Sequence, residues 1–229
     1  LPISSDSPTV AAKFFEAMEE AGLPPGVVNF CPGSGATFGD GIVQHPQTRF
    51  IAFTGSRDVG LHIHQVAAQA QPGQVWIKRT ILEMGGKDAI LVAADADLDA
   101  AADGVTAAAF GFQGQKCSAC SRAVVDATVY EPFLEKLLER VARLRLGDPA
   151  ENAPVGPVVS EGALRGILRY VEMGHSEGRV VAGGHRGPGD GYFLEPTVIA
   201  DVAPTARIAQ EEIFGPVLAV IRAADFDDA

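Results

Sequence analysis

Two of the three cysteines in this 229-residue chain lie in one short stretch, Gly114-Gln115-Lys116-Cys117-Ser118-Ala119-Cys120-Ser121-Arg122. A glycine precedes the thiols, small residues surround them, and Lys116 brings a cation next to Cys117 in sequence. A nucleophilic thiol needs partial exposure and a means of stabilising thiolate, and its covalent chemistry often needs a second group to activate water. Upstream, Glu83 stands just before Gly85-Gly86, where the chain can bring a side chain and bare backbone into a cleft. A general base must reach water close to the reacting carbon, and Glu83 is the candidate. Each residue also has an ordinary alternative. Cysteine is commonly a small buried hydrophobe, a carboxylate is commonly a solvated surface group, and sequence neighbours such as Lys116 and Cys117 often point apart.

Cys117 and Cys120 also form a CxxC, the spacing of a redox pair or of half a zinc site. No second CxxC completes such a site, Cys31 is far off in sequence, and His45, His62, His64, His175 and His185 form no ligand set, so no metal is expected. Thr54-Gly55-Ser56 falls between a strand and a helix, where backbone N–H groups and the helix dipole can hold a phosphate, although a plain capping turn has the same pattern. Gly33-Ser34-Gly35 with Gly39 lacks the last spacing of a dinucleotide fingerprint; Gly35 reads equally as a turn and as a point of close ligand approach. Either carboxylate of Glu211-Glu212 could hold a sugar hydroxyl or cap a turn, and Phe214 reads as core or as a cofactor contact.

The positioning elements follow from periodicity and punctuation. Ser7-Pro8 opens a helix on which Val10, Phe14, Phe15 and Met18 recur at helical spacing, up to Gly22. Residues 27–31 read as a strand, a short helix ends near His45-Pro46, residues 49–53 are a second strand, and 58–70 a helix. That alternation predicts a parallel α/β sheet. Further on, 75–84 are extended, 89–92 a strand, 95–110 an Ala-rich helix with an acidic start, and 123–125 a strand. Residues 132–146 and 161–178 read as helices, 180–182, 192–199 and 217–221 as strands, and 225–229 as the start of another helix. The chain divides best at Gly85-Gly86, into residues 1–84 and 85–229.

A 47% hydrophobic content with only 21% charged residues and no repeat indicates a globular chain with a real core. The net charge of −11 argues against nucleic acid or an anionic membrane as partner, since both require clustered cations. No apolar run approaches the roughly 20 residues that span a bilayer, and an odd, small cysteine count predicts a reducing, cytoplasmic setting.

Four of these segments, in order, resemble the aldehyde dehydrogenase superfamily: Phe53-Thr54-Gly55-Ser56, Glu83-Met84-Gly85-Gly86-Lys87, Gly114-Gln115-Lys116-Cys117 and Glu212-Ile213-Phe214-Gly215-Pro216. Lys78-Arg79 and Phe110-Gly111-Phe112-Gln113 are similar to the branch that oxidises L-glutamate γ-semialdehyde to L-glutamate in proline and arginine catabolism. The resemblance spans essentially the whole chain. It implies an incomplete Rossmann-type parallel sheet over residues 1–84, the later part of an NAD-binding domain, followed by an α/β catalytic domain over residues 85–229, truncated at its C-terminal end. It also implies an NAD cofactor (NADP being the alternative), a small aldehyde substrate, and a homo-oligomer in the cytoplasm, or in the mitochondrial matrix of a eukaryote.

Carried over residue by residue, Cys117 is the nucleophile and its backbone N–H an oxyanion donor, and Glu83 activates the hydrolytic water. Thr54, Gly55, Ser56 and Gly35 lie at the cofactor, Gly55 and Ser56 at its pyrophosphate. Glu212 holds the nicotinamide ribose with Phe214 alongside, Ser118 helps hold the substrate carboxylate, and Cys120 is not catalytic. Leu1 stands before Pro2 where the family carries a lysine, and the family's oxyanion asparagine would lie upstream, so about half of an enzyme is expected here, inactive by itself. Another semialdehyde dehydrogenase, a binding module and a CxxC thiol oxidoreductase remain as alternative readings.

Overall fold

The computed structural model describes residues 2–4 and 6–229; Leu1, where the family lysine would stand, lies outside the described residues. The chain forms two compact units, Leu1–Gly85 and Gly86–Ala229.

In the first unit, β1 (Pro2–Ile3) pairs in parallel with β2 (Cys31–Pro32). Helix α1 (Pro8–Glu20) starts with Ser7 at its N-cap and Pro8 in its first turn, where the missing N–H costs nothing. Gly22, at φ +85, follows its end. A π-helical turn (Gly35–Gly39) runs into α2 (Asp40–Gln44). β3 (Phe50–Thr54) and β4 (Arg79–Glu83) pair in parallel, Thr54 opposite Glu83, with α3 (Arg57–Ala67) between them in sequence. Strand alternation sorts their side chains: Ile51, Phe53 and Leu82 pack with Val43, Ile63 and Ala67, whereas Phe50 and Ile81 are exposed.

The second unit is a five-stranded sheet in the order β5-β6-β9-β8-β7, comprising β5 (Asp88–Val92), β6 (Cys120–Asp126), β7 (Arg179–Ala182), β8 (Thr197–Ala200) and β9 (Val217–Ala223). All pairings are parallel except β7–β8. Helices α4 (Leu98–Phe110) and α5 (Tyr130–Val141) pack with Val198, Ala200, Leu218 and Val220 in one core. Helix α6 (Glu161–Glu177) packs with Ile199, Val217, Ala219 and Ile221 in the other. Alternate residues of β8 and β9 therefore serve opposite cores, and β9 is a nearly continuous apolar run because both its faces are covered. Arg140 joins α5 to Asp99 and Asp103 of α4, and Lys136 also reaches Asp99. Hydrogen bonds from Lys136 and then Arg140 hold the Asp99 carboxyl below the usual carboxylate range.

Several expected boundaries move, each for a local reason. The strand expected over 27–31 survives only at Cys31–Pro32, because the left-handed Gly26 turn delays entry. Of residues 75–84 only Arg79–Glu83 are strand, the length that β3 can pair. The helix expected over 132–146 ends at Val141, since Gly147 N–H donates to Val155 O and Val155 N–H to Arg145 O, drawing the tail into a bridge. Residues 192–199 are strand only from Thr197, after Pro196, which lacks an N–H. Residues 225–229 form a turn closed by Asp225 and Asp228 rather than a helix. The antiparallel β7 departs from an all-parallel sheet. The short helix α7 (Arg207–Gln210) had no clear sequence signal.

Tyr130, the first residue of α5, ties the end of β8 to the neighbouring β9 in the second unit's sheet. Its ring is fully buried beneath the Arg222 guanidinium, 3.8 Å from the ring centroid, and its hydroxyl accepts from the Asp201 amide at 2.8 Å. Burial pushes its phenol up to about 12. Tyr130→Phe keeps the packing and strips that amide of its acceptor. The expected loss is about 1–3 kcal/mol, read as a lower urea midpoint at unchanged m-value; an unshifted midpoint would show that the hydroxyl carries no stability.

Candidate active site

Three loops enter three neighbouring parallel strands of the second unit at their amino ends. Gly86 precedes β5, Cys117 precedes β6, and Glu212 precedes β9. Adjacency in the sheet therefore gathers residues far apart in sequence.

The thiol loop begins where α4 ends at buried Phe110. Phe112, Gln113 and Gly114 then take φ values of 55, 56 and 64. Non-glycine residues in this left-handed region cost about 1 kcal/mol or more each, so neighbours must hold them there. Gly114 lies so close to the carbonyl of Gly215 that no side chain fits. With its amide oriented to satisfy its neighbours, Gln113 accepts from Gly156 N–H at 2.8 Å, and Gln115 Oε1 accepts from Val159 N–H at 2.9 Å. Lys116, Cys117 and Ser118 then form an exposed turn, closed by Ala119 N–H donating to Lys116 O at 3.1 Å, before the chain is buried at Ala119 and Cys120. A Cβ on Gly86 would stand 2.6 Å from the Cys117 carbonyl oxygen, so a bare backbone is what seats this turn.

The two thiols differ sharply. Cys117 is exposed. Cys120 is 3% exposed, its Sγ donating to Arg122 O, and burial pushes its thiol up to about 11.

The two candidate glutamates also separate. Glu211 pairs with Arg207 at 2.9 Å and accepts from Tyr170 Oη at 2.8 Å. Glu212 instead accepts from Gly86 N–H at 3.4 Å. Gly86, Lys116, Ser121, Glu212 and Phe214 line one small pocket; Phe214 adopts φ 53 and leaves its ring partly exposed. Beside it lies a group that sequence reasoning met only as part of a motif. Lys87 has a buried Nζ with no acceptor among the described residues, and its carbonyl oxygen accepts from the Arg122 guanidinium. Burial and then the Arg122 charge push the Lys87 ammonium down to about 8, opposed by Glu212.

The remaining candidates belong to the first unit, at the carboxyl ends of its paired strands. Thr54 ends β3 and Glu83 ends β4 opposite it, and Gly55 N–H donates to Glu83 O at 3.0 Å. Ser56 is the N-cap of α3, its hydroxyl accepting from Val59 N–H at 3.4 Å. Thr54, Gly55, Ser56 and Glu83 are all exposed, so the strand-end turn offers open backbone donors at the positive end of an 11-residue helix. Gly35 faces open space: a Cβ there would meet nothing within 4 Å, so internal packing does not require a glycine. These features suit a phosphate-bearing cofactor. The first unit thus holds Gly35, Thr54, Gly55, Ser56 and Glu83, and the second Cys117, Ser118, Glu212 and Phe214.

The chain is 57% identical over 227 residues to the 1-pyrroline-5-carboxylate dehydrogenase of Geobacillus thermodenitrificans and 56% identical to that of Geobacillus kaustophilus, matching 99% of this chain and 44% of each relative. Its fold superposes on a crystal structure of 1-pyrroline-5-carboxylate dehydrogenase from Thermus with bound NAD, with a TM-score of 0.96 and 54% identity, covering 99% of this chain and 44% of that one. The chain therefore spans a little under half the length of the relatives it matches. Residues 1–229 match the aldehyde dehydrogenase family throughout, and the chain belongs to that family.

Proposed function

We propose that the protein to which this chain belongs oxidises L-glutamate γ-semialdehyde, the open form of 1-pyrroline-5-carboxylate, to L-glutamate with NAD. The observation that carries this reading is the seating of Cys117: an exposed thiol on a turn held by glycine backbone contacts, three residues before a buried, inert one. Identity of 57% to a relative of that name supports the choice of substrate.

Cys117 as thiolate attacks the aldehyde carbon, forming a thiohemiacetal whose oxyanion the Cys117 backbone N–H helps to stabilise. A nicotinamide dinucleotide, when bound, supplies the acceptor for the hydride that leaves this carbon. Gly55, Ser56 and the first turn of α3 suit its pyrophosphate, Thr54 and Gly35 line its approach, and Glu212 suits its nicotinamide ribose with Phe214 beside it. Glu83 takes a proton from water, which attacks the thioester carbonyl, releases the carboxylate product and returns the Cys117 thiol. Ser118, next to the nucleophile on the exposed turn, offers its hydroxyl to the substrate's amino-acid carboxylate. In this reading Cys120 packs and takes no part.

Three measurements test the assignment. In the full-length protein, Cys117→Ala is expected to abolish semialdehyde-dependent NADH formation; a variant keeping most of its turnover would refute the nucleophile. Glu83→Gln is expected to keep a first burst of NADH and to slow the steady state on the order of 100-fold or more; an undiminished steady rate would remove Glu83 as base. Iodoacetamide at pH 7.5 is expected to alkylate Cys117 and leave Cys120 unmodified until the fold is denatured. Equal labelling of both thiols would favour a CxxC oxidoreductase instead.

A further inference from the structure

The loop that leads into β9 presents Glu212 but holds it weakly at Glu212 itself. That residue is exposed, and the bond its carboxylate accepts from Gly86 N–H is long at 3.4 Å. Close by, Phe214 stands at φ 53, a conformation that a non-glycine residue keeps only when its neighbours hold it. Downstream the hold is steric. A Cβ on Gly215 would stand 2.4 Å from the Ile167 side chain, so bare backbone lies against α6 there. Upstream the hold is polar. Tyr170, one turn along α6 from Ile167, donates its hydroxyl to Glu211 Oε2 at 2.8 Å. Burial and then the bond to Glu211 push its phenol above the usual range, so it stays protonated and able to donate. Arg207 donates to both Glu211 oxygens, at 2.9 and 3.0 Å, but it belongs to the adjoining α7 and is 60% exposed. Such a pair contributes little by itself, and it stiffens α7 without fixing where the loop lies. Glu177 accepts from Ile208 N–H at 2.9 Å and seats the start of α7 on α6. The bond from Tyr170 reaches further, to the residue next to Glu212.

We propose that Tyr170 is a positioning residue for cofactor binding: its hydroxyl, bonded to Glu211, ties the loop before β9 to α6 and so fixes where Glu212 stands when it meets the ribose. The proposal rests on the reading of Glu212 as a cofactor contact. Tyr170 does not itself line the pocket that Gly86, Glu212 and Phe214 share, so its influence passes through Glu211. Charge gives the tie a second effect. Adjacent carboxylates repel each other, and the bonds from Tyr170 and Arg207 turn the Glu211 carboxylate toward α6 and α7. The Glu212 carboxylate is left to face Gly86 and the pocket. With Ile167 under Gly215, α6 grips the loop on both sides of Glu212 and of the strained Phe214.

The test is NADH binding to the full-length protein, followed by fluorescence well below the melting temperature. Glu212→Gln should weaken NADH. Tyr170→Phe, which keeps the ring and removes the hydroxyl, should weaken it on the order of three- to tenfold, the scale of one net hydrogen bond. Glu211→Leu should lose at least as much, and Glu211→Gln, which keeps an acceptor for the tyrosine, should restore most of that loss. Placed on Glu212→Gln, Tyr170→Phe should cost no further affinity, because the hydroxyl acts through that carboxylate. A tyrosine with a merely structural role would cost the same in both backgrounds. Unchanged affinity in Glu212→Gln would overturn the ribose reading itself. Weakened Glu212→Gln beside unchanged Tyr170→Phe would overturn the role of Tyr170 alone, as would additive losses in the double variant or no restoration by Glu211→Gln. Should Glu211→Leu fail to fold, Tyr170→Phe and the double variant decide.

Discussion

Close backbone approach at two glycines is the constraint on which the thiol site depends. Gly114 lies against the Gly215 carbonyl, and Gly86 against the Cys117 carbonyl. Any side chain at either position would push the thiol turn away from the loops beside it. The first contact also helps hold Phe112 and Gln113 in a left-handed conformation that they would otherwise avoid. Because the strain sits in the chain just before Cys117, the turn is fixed from both ends: by the glutamine anchors upstream and by burial of Ala119 and Cys120 downstream. An exposed thiol on a rigid support results.

That support works because the sheet is covered on both faces. Alternate residues of β8 and β9 feed two cores, so neither strand can slip by one residue without turning apolar side chains toward the wrong layer. Register in turn fixes where the loops begin, and β5, β6 and β9 are neighbours whose amino ends carry Gly86, Cys117 and Glu212. The first unit uses the opposite ends of its strands. There the β3–β4 pairing sets Thr54 beside Glu83 at the carboxyl edge, next to the helix end capped by Ser56.

Electrostatics adds a cost that packing alone would remove. Lys87 and Arg122 place two cations near each other, with Lys87 Nζ and Arg122 Nε buried without a partner among the described residues. Sites of this kind give up some stability for geometry, which is one reason that residues breaking a simple burial rule cluster where ligands bind. Cys120 shows the contrary case. Close to Cys117 in sequence, it obeys the burial rule, and its thiol is correspondingly hard to ionise.

By itself, the sequence determined the order of most helices and strands, because period and capping are local: Ser7-Pro8, the strand-like run over 49–53 and the apolar run of β9 are legible without any partner. It also determined the candidate residues, since Cys117, Glu83, Thr54-Gly55-Ser56 and Glu212 fall in segments of distinctive composition. Strand lengths were not legible, because a strand lasts only as long as its backbone can pair with its neighbour; β4 stops at the length of β3, and β8 begins only after Pro196, which has no N–H to offer. Residue chemistry alone did not separate Cys117 from Cys120, or Glu211 from Glu212, since each pair has similar chemistry and local setting; the family resemblance distinguished them. Tertiary structure gives the members of each pair different surroundings, burying one thiol and setting Glu211 against Arg207 and Tyr170 while Glu212 meets Gly86. The isolation of Lys87 was likewise invisible in sequence, because a lysine's solvation depends on residues 35 and more than 100 positions away, at Arg122 and Glu212.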